Sequence, residues 1–170
     1  MVGTWIVLPL VIAAAAADFG DGRLARRLSV QSETGRFIDN SCDVVFLLLV
    51  FTGFAQLQIW SYPIVGSAMR YWKHANWLPV IALTISFGTY LMRWGLSTRL
   101  GVEPRPSARG HSAGVANYIL ALLGGVAVLP GVEVTPWILE PSFVTVALLN
   151  VSGAAENIGL MVEMLVQRSR

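Results

Sequence analysis

Five long apolar stretches dominate the sequence and leave few ways for the chain to fold. They are residues 4–17, 44–60, 77–94, 113–130 and 143–166. Hydrophobic residues make up 55% of the 170-residue chain and charged residues only 13%, whereas about a quarter of the residues of a soluble domain are charged. Because the stretches are continuous rather than alternating in polarity, they indicate helices and not the strands of a membrane barrel. We therefore predict an all-α, polytopic membrane helix bundle of about five transmembrane helices, forming a single domain over residues 1–170.

The distribution of basic residues agrees with this topology. If five helices cross alternately, the segments after the first and third helices lie on the same side of the membrane as the C-terminus. Ten of the twelve basic residues fall on that side, namely Arg23, Arg26, Arg27, Arg36, Arg93, Arg99, Arg105, Arg109, Arg168 and Arg170. Only Arg70 and Lys73 fall on the other. Because cytoplasmic loops carry the excess of Lys and Arg, we predict an integral protein of a prokaryotic plasma (inner) membrane with this side in the cytoplasm.

Other classes of protein fit the sequence less well. A secretory signal peptide would begin with a positively charged region, and no basic residue precedes Arg23. The net charge is only +2, and no basic tract is interleaved with aromatic residues, so a nucleic-acid partner is not expected. The single cysteine, Cys42, excludes a disulfide framework and a cysteine-based zinc site.

Four aspartates lie near the cytoplasmic ends of the first two predicted helices. Asp18 and Asp21 are three residues apart and Asp39 and Asp43 are four apart, so each pair shares one face of a helix. Carboxylates brought together at a membrane surface repel one another unless some protonate or a divalent cation binds among them. Oxygen ligands indicate Mg²⁺, Mn²⁺ or Ca²⁺ rather than zinc. The alternative is a cluster of solvated helix-end residues and N-caps.

The residues between the two aspartate pairs are suited to a phosphate ester. Gly22 and Gly35 let the backbone approach a ligand closely, and the guanidinium of Arg26 is suited to binding phosphate. Acidic metal ligands beside glycines and an arginine predict metal-assisted phosphoryl chemistry.

The same residues resemble the signature of a known enzyme family. The pattern Asp18-x2-Asp21-Gly22-x2-Ala25-Arg26-x8-Gly35-x3-Asp39-x3-Asp43 is similar, position for position, to the motif of the CDP-alcohol phosphotransferases (CDP-alcohol phosphatidyltransferases). The resemblance implies a transferase of phospholipid biosynthesis that moves a substituted phosphate from a CDP-linked alcohol to a second alcohol and releases CMP. It also implies CDP-diacylglycerol as the donor, because single-domain members about as small as the bacterial enzymes mostly use this donor.

The resemblance further implies roles for individual residues. Asp18, Asp21 and Asp39 would ligate a pair of Mg²⁺ or Mn²⁺ ions, and Asp43 would complete the metal site and act as the general base for the acceptor hydroxyl. The residues expected to bind CDP are Asp21, Gly22, Ala25, Arg26 and Gly35. Four arginines on the same side of the membrane are candidates for binding a phosphorylated acceptor, although the positive-inside rule explains them equally well. They are Arg93, Arg99, Arg105 and Arg109.

Members of this family usually have six membrane helices and form homodimers. Here the motif begins at Asp18, so we expect the first crossing to be missing, either because the recorded start is late or because the protein is a shortened form. A catalytically silent homologue that binds nucleotide or lipid is one alternative to an active enzyme. A small membrane scaffold or transporter subunit whose aspartates only bind a cation is another. The acceptor alcohol is not encoded by the motif. Asn40 and Val44 replace the proline and lysine typical of phosphatidylglycerophosphate synthases, which argues against that branch. Cys42 precedes the last aspartate of the motif, as a cysteine does in the choline/ethanolamine branch.

Overall fold

Five α-helices make up the part of the chain that the computed structural model describes, which comprises residues 6–28, 32–57, 76–102, 105–132, 134 and 136–168. For residues 19, 21–28, 136, 137 and 140 only the backbone is described. The helices are α1 (Val7–Leu28), α2 (Glu33–Gln56), α3 (Leu78–Leu100), α4 (Ala108–Ala127) and α5 (Pro136–Arg168), and these residues contain no strand. The predicted all-α fold is confirmed. The predicted loop carrying Arg70 and Lys73 lies outside the described residues.

The helices extend beyond the apolar stretches from which they were predicted. α1 continues through the charged residues after position 17 to Leu28, and α2 begins at Glu33 rather than at position 44. Ser32 caps α2, because its hydroxyl accepts a hydrogen bond of 3.0 Å from the N–H of Gly35. Hydropathy marks where the hydrocarbon layer ends, whereas a helix ends at a cap or a turn. The aspartate motif consequently lies on two consecutive helices.

Helices α3, α4 and α5 also extend beyond the apolar stretches from which they were predicted. α4 begins at Ala108 rather than at position 113, because Ser107 caps it. α3 continues past position 94 and ends at Gly101, whose φ of 65° is the left-handed conformation that favours glycine at a helix C-terminus. α5 likewise begins at Pro136 rather than at position 143.

Large apolar side chains cover the outside of the bundle. Leu49, Met92 and Leu148 are 70%, 66% and 65% exposed, which suits contact with lipid rather than water. By length and composition, two helices of the described residues can cross a membrane, Glu33–Gln56 and the Pro141–Arg168 part of α5, and Val7–Asp18 forms a shorter apolar helix. The fold is that of a helical membrane bundle, and the number of crossings stays a prediction.

A buried pair of asparagines joins α4 to α5. Asn117 and Asn150 are each 1% exposed. Asn117 Nδ2 donates to Asn150 Oδ1 at 3.2 Å, and Asn150 Nδ2 donates to Asn117 Oδ1 at 2.9 Å. Because buried amides require hydrogen-bond partners, this reciprocal pair sets the rotation and register of α4 against α5.

We expect Asn150→Leu to lower the free energy of unfolding by about 1–2 kcal/mol, because it leaves the buried Asn117 amide without its partner on α5. Thermal unfolding in detergent measures the loss. The double variant Asn117→Leu/Asn150→Leu removes both amides. Its loss of unfolding free energy should therefore be smaller than the sum of the losses in the two single variants. Strict additivity of the two losses would show that the pair does not couple the helices.

A carboxylate of α5 holds the start of α4. Glu156 accepts hydrogen bonds from the hydroxyl of Ser107 and from the backbone N–H of Arg109, the latter at 2.9 Å. The Ser107 hydroxyl also accepts a 2.8 Å hydrogen bond from the N–H of Gly110. The carboxylate accepts hydrogen bonds from N–H groups that have no partner within the helix, and its negative charge is attracted to the positive end of the helix dipole. This contact accounts for a charged residue within the fifth apolar stretch.

Candidate active site

Three of the four aspartates in the motif meet between α1 and α2. Asp18 comes from α1, and Asp39 and Asp43 come from successive turns of α2. Each residue offers one carboxylate oxygen, and these three atoms lie within 4.8 Å of one another. Asp39 is exposed, whereas Asp18 and Asp43 are half-buried. We call these three residues the aspartate cluster; the side chain of Asp21 lies outside the described residues.

The donor atoms of the aspartate cluster fit a hard divalent cation. All three are carboxylate oxygens, the ligand type that Mg²⁺ and Mn²⁺ prefer. Carboxylates at this separation repel one another, and a bound cation would offset that repulsion. The residues therefore fit the metal that the motif implies.

Aromatic stacking fixes the part of α2 that precedes Asp39. The ring of Phe37 stacks on that of Trp94 in α3, with centroids 3.9 Å apart and an interplanar angle of 19°. The Phe37 ring also lies 6.1 Å from the ring of Tyr90. Aromatic pairs of this kind contribute about 0.5–1.5 kcal/mol beyond the area that they bury. The stacking holds the first turns of α2 against α3 and so orients the face that carries Asp39.

A tyrosine outside the motif reaches the aspartate cluster from α4. The hydroxyl of Tyr118 donates a hydrogen bond to Oδ1 of Asp43 at 2.7 Å, across a sequence separation of 75 residues. Hydrogen bonds to an ionised group are shorter and stronger than neutral ones. Tyr118 was not among the site residues predicted from the sequence, where its only signal is a hydroxyl-bearing side chain inside the apolar fourth stretch.

Gly35 is the predicted CDP-binding residue that the structure describes most fully. It lies in the first turn of α2 and is exposed, four residues before Asp39 and on the same helix face. A Cβ at this position would lie 2.9 Å from Oγ of Ser32, so glycine leaves room for the cap. The other predicted CDP-binding residues lie on α1, where the structure describes their backbone and not their side chains. They are Asp21, Gly22, Ala25 and Arg26.

The four arginines considered for the acceptor have different environments. Arg93 is 6% exposed, and its guanidinium donates a 2.9 Å hydrogen bond to the carbonyl oxygen of Arg105. The side chain of Arg105 is exposed and lies 3.7 Å from a carboxylate oxygen of Glu163. Arg99, in the last turn of α3, and Arg109, in the first turn of α4, are exposed. Three of the four side chains are therefore accessible from solvent.

Comparison with known protein families bears directly on the motif. The family model described as CDP-alcohol phosphatidyltransferase matches residues 2–155. This chain belongs to that family. The matched range contains the aspartate cluster and Tyr118, and the expectation drawn from the motif is confirmed at the level of the family.

A curated relative in the same family comes from Cereibacter sphaeroides (strain ATCC 17023). It is named a CDP-diacylglycerol–glycerol-3-phosphate 3-phosphatidyltransferase and is 30% identical to this chain, over an alignment that covers 68% of this chain and 64% of the relative. The chain thus spans less than two thirds of the length of that relative. No solved structure matches the chain significantly.

Proposed function

We propose that this member of the CDP-alcohol phosphatidyltransferase family is a metal-dependent transferase of phospholipid biosynthesis. It moves the phosphatidyl group of CDP-diacylglycerol to an alcohol acceptor and releases CMP. The observation that carries the proposal is the convergence of Asp18, Asp39 and Asp43 within 4.8 Å, in the part of the chain that the family model matches. The name of the Cereibacter relative, which includes CDP-diacylglycerol, supports the same donor.

In the proposed reaction the oxygen of the acceptor hydroxyl attacks the β-phosphorus of the CDP-linked lipid. A new phosphorus–oxygen bond forms, the bond from the β-phosphorus to the bridging oxygen breaks, and CMP leaves with that electron pair. The carboxylate of Asp43 takes the proton of the acceptor hydroxyl as general base. Half-burial of Asp43 suits this role, because it limits competition from bulk water.

Each remaining motif residue has a proposed task. Asp18, Asp21 and Asp39, completed by Asp43, would hold a pair of Mg²⁺ or Mn²⁺ ions, which when bound supply positive charge against the pyrophosphate and the CMP leaving group. Arg26 binds the donor phosphates. Gly22, Ala25 and Gly35 line the cytidine diphosphate, because small residues allow it to approach the helices closely.

The substrates require a site at the membrane surface, because the donor is a lipid and the acceptor is usually water-soluble. We propose that the aspartate cluster faces the cytoplasmic side of a prokaryotic plasma membrane and that the enzyme works as a homodimer. The exposed arginines Arg99, Arg105 and Arg109 are candidates for the phosphate of a phosphorylated acceptor. The distribution of basic residues along the chain supports this orientation.

Two observations point to different acceptors. The Cereibacter relative is named for glycerol 3-phosphate. Asn40 and Val44, however, differ from the residues typical of that branch. Glycerol 3-phosphate is therefore the first acceptor to test, beside serine, inositol and inositol phosphate.

The test is CMP release by the detergent-purified chain supplied with CDP-diacylglycerol, Mg²⁺ or Mn²⁺, and each acceptor in turn, with the lipid product identified by mass spectrometry. We expect metal-dependent CMP release with one acceptor of the panel. No release with any acceptor, repeated with CDP-choline and diacylglycerol, would refute the activity. Retained CDP-lipid binding would then indicate a silent homologue, and loss of that binding would indicate a cation-binding scaffold.

A further inference from the structure

The contact between Tyr118 and Asp43 joins two helices that are distant in sequence. Asp43 lies on α2 and Tyr118 on α4, and their 2.7 Å hydrogen bond connects the phenol hydroxyl to one specific carboxylate oxygen, Oδ1. Both side chains are half-buried. The hydrogen bond fixes Oδ1 of this carboxylate and with it the direction in which Oδ2 points.

The position of Tyr118 is set by contacts on other faces of α4. Its chain neighbour Asn117 is locked to Asn150 of α5 by the reciprocal amide pair. Farther along α4, Gly124 lies against the ring of Phe54 in α2, where any Cβ would clash. At the start of α4, Glu156 holds the N-terminus. The tyrosine hydroxyl is thus presented to α2 by a helix fixed at three points along its length.

We propose that Tyr118 is a positioning residue for the general base of this enzyme. Its hydroxyl holds Oδ1 of Asp43, so that Oδ2 is the oxygen that takes the proton of the acceptor. The inference rests on the proposed function for the identity of the base, and on the hydrogen bond for the role of Tyr118. The effect of Tyr118 reaches the reaction only through Asp43.

The first test is Tyr118→Phe, which keeps the ring and removes the hydroxyl. We expect kcat to fall about tenfold, the effect of one lost hydrogen bond to a charged group. KM for the CDP-linked lipid should change by less than about twofold, because a residue that acts only on the general base alters turnover rather than donor binding. Ser112→Ala is the matched control, since it removes an exposed hydroxyl of the same helix that donates to the Ala108 carbonyl oxygen, and it should leave kcat unchanged. A kcat unaffected by Tyr118→Phe would overturn the proposal.

The second test does not depend on turnover. Mn²⁺ affinity is measured by calorimetry for the unaltered chain, Tyr118→Phe, Asp43→Asn and the double variant. Because Tyr118 acts through Asp43, we expect Tyr118→Phe to raise the Mn²⁺ dissociation constant about threefold or more in the unaltered chain and not in the Asp43→Asn background. No rise in the unaltered chain, or the same rise in both backgrounds, would refute the role of Tyr118. If the unaltered chain binds Mn²⁺ but releases no CMP, the proposed function fails and this cycle still decides the role of Tyr118.

Discussion

Replacing Asp43 with asparagine is expected to lower the rate of CMP release by about 10²- to 10⁴-fold, the range that general-base catalysis contributes. Asparagine has nearly the same shape as aspartate but cannot accept the proton of the acceptor hydroxyl. Asp18 and Asp39 remain beside it in the aspartate cluster, so metal-dependent binding of the CDP-linked lipid should be retained in part. The measurement pairs CMP release with a donor-binding assay in the presence of Mn²⁺.

Glu33→Gln is the matched control for Asp43→Asn. Glu33 lies at the start of the same helix, and its exposed carboxylate is 3.8 Å from the guanidinium of Arg36, an ion pair that contributes little because water screens it. This variant should keep its turnover. Full turnover by Asp43→Asn would remove Asp43 from the role of base. Loss of donor binding together with turnover would instead assign Asp43 to the metal site alone.

Asp18→Ala should abolish the metal-dependent binding of the CDP-linked lipid. The substitution removes the contribution of α1 to the described aspartate cluster. Because cation affinity depends strongly on the number of charged ligands, we expect the Mn²⁺ dissociation constant to rise on the order of a hundredfold. Titration with Mn²⁺, followed by donor binding at the Mn²⁺ concentration that just saturates the unaltered chain, measures both effects.

The unfolding temperature of Asp18→Ala, measured without and with Mn²⁺, is a second test of the metal site. In EDTA, Asp18→Ala should unfold at the same temperature as the unaltered chain or at a higher one, because it removes one of three mutually repelling carboxylates. Added Mn²⁺ should stabilise the unaltered chain, because a ligand that binds only the folded state raises its stability, and at the same Mn²⁺ concentration it should stabilise Asp18→Ala much less. Glu33→Ala is the control and should respond to Mn²⁺ like the unaltered chain. Equal stabilisation of Asp18→Ala by Mn²⁺ would exclude Asp18 from the metal site.

The aspartate cluster could be predicted because its geometry follows from local rules. Spacings of three and four residues place carboxylates on one helix face, and the short segment between α1 and α2 brings the two faces together. The described positions of Asp18, Asp39 and Asp43 agree with that reasoning. What each of these residues does in catalysis remains a prediction that the variants above test.

Tyr118 could not be predicted in the same way, because no local rule connects it to Asp43. Its contact depends on the rotation of α4, which the buried Asn117–Asn150 pair sets, and that pairing is itself a tertiary contact. The starts of α2 and α4 do not follow from the bounds of the apolar stretches for a related reason. Hydropathy falls where charged residues begin, whereas the caps at Ser32 and Ser107 decide where these helices start. Serine at both positions is a residue type that favours a helix N-cap.

The most direct test of metal-dependent transfer at the aspartate cluster is a single preparation assayed three times for CMP release from CDP-diacylglycerol and its acceptor. The assays are made in Mn²⁺, after EDTA, and after excess Mn²⁺ is restored. We expect release that stops in EDTA and returns with Mn²⁺ in the unaltered chain, and much less release from Asp18→Ala at the Mn²⁺ concentration that just saturates the unaltered chain. Release that persists in EDTA, or equal release from Asp18→Ala, would contradict metal-dependent phosphatidyl transfer at this site.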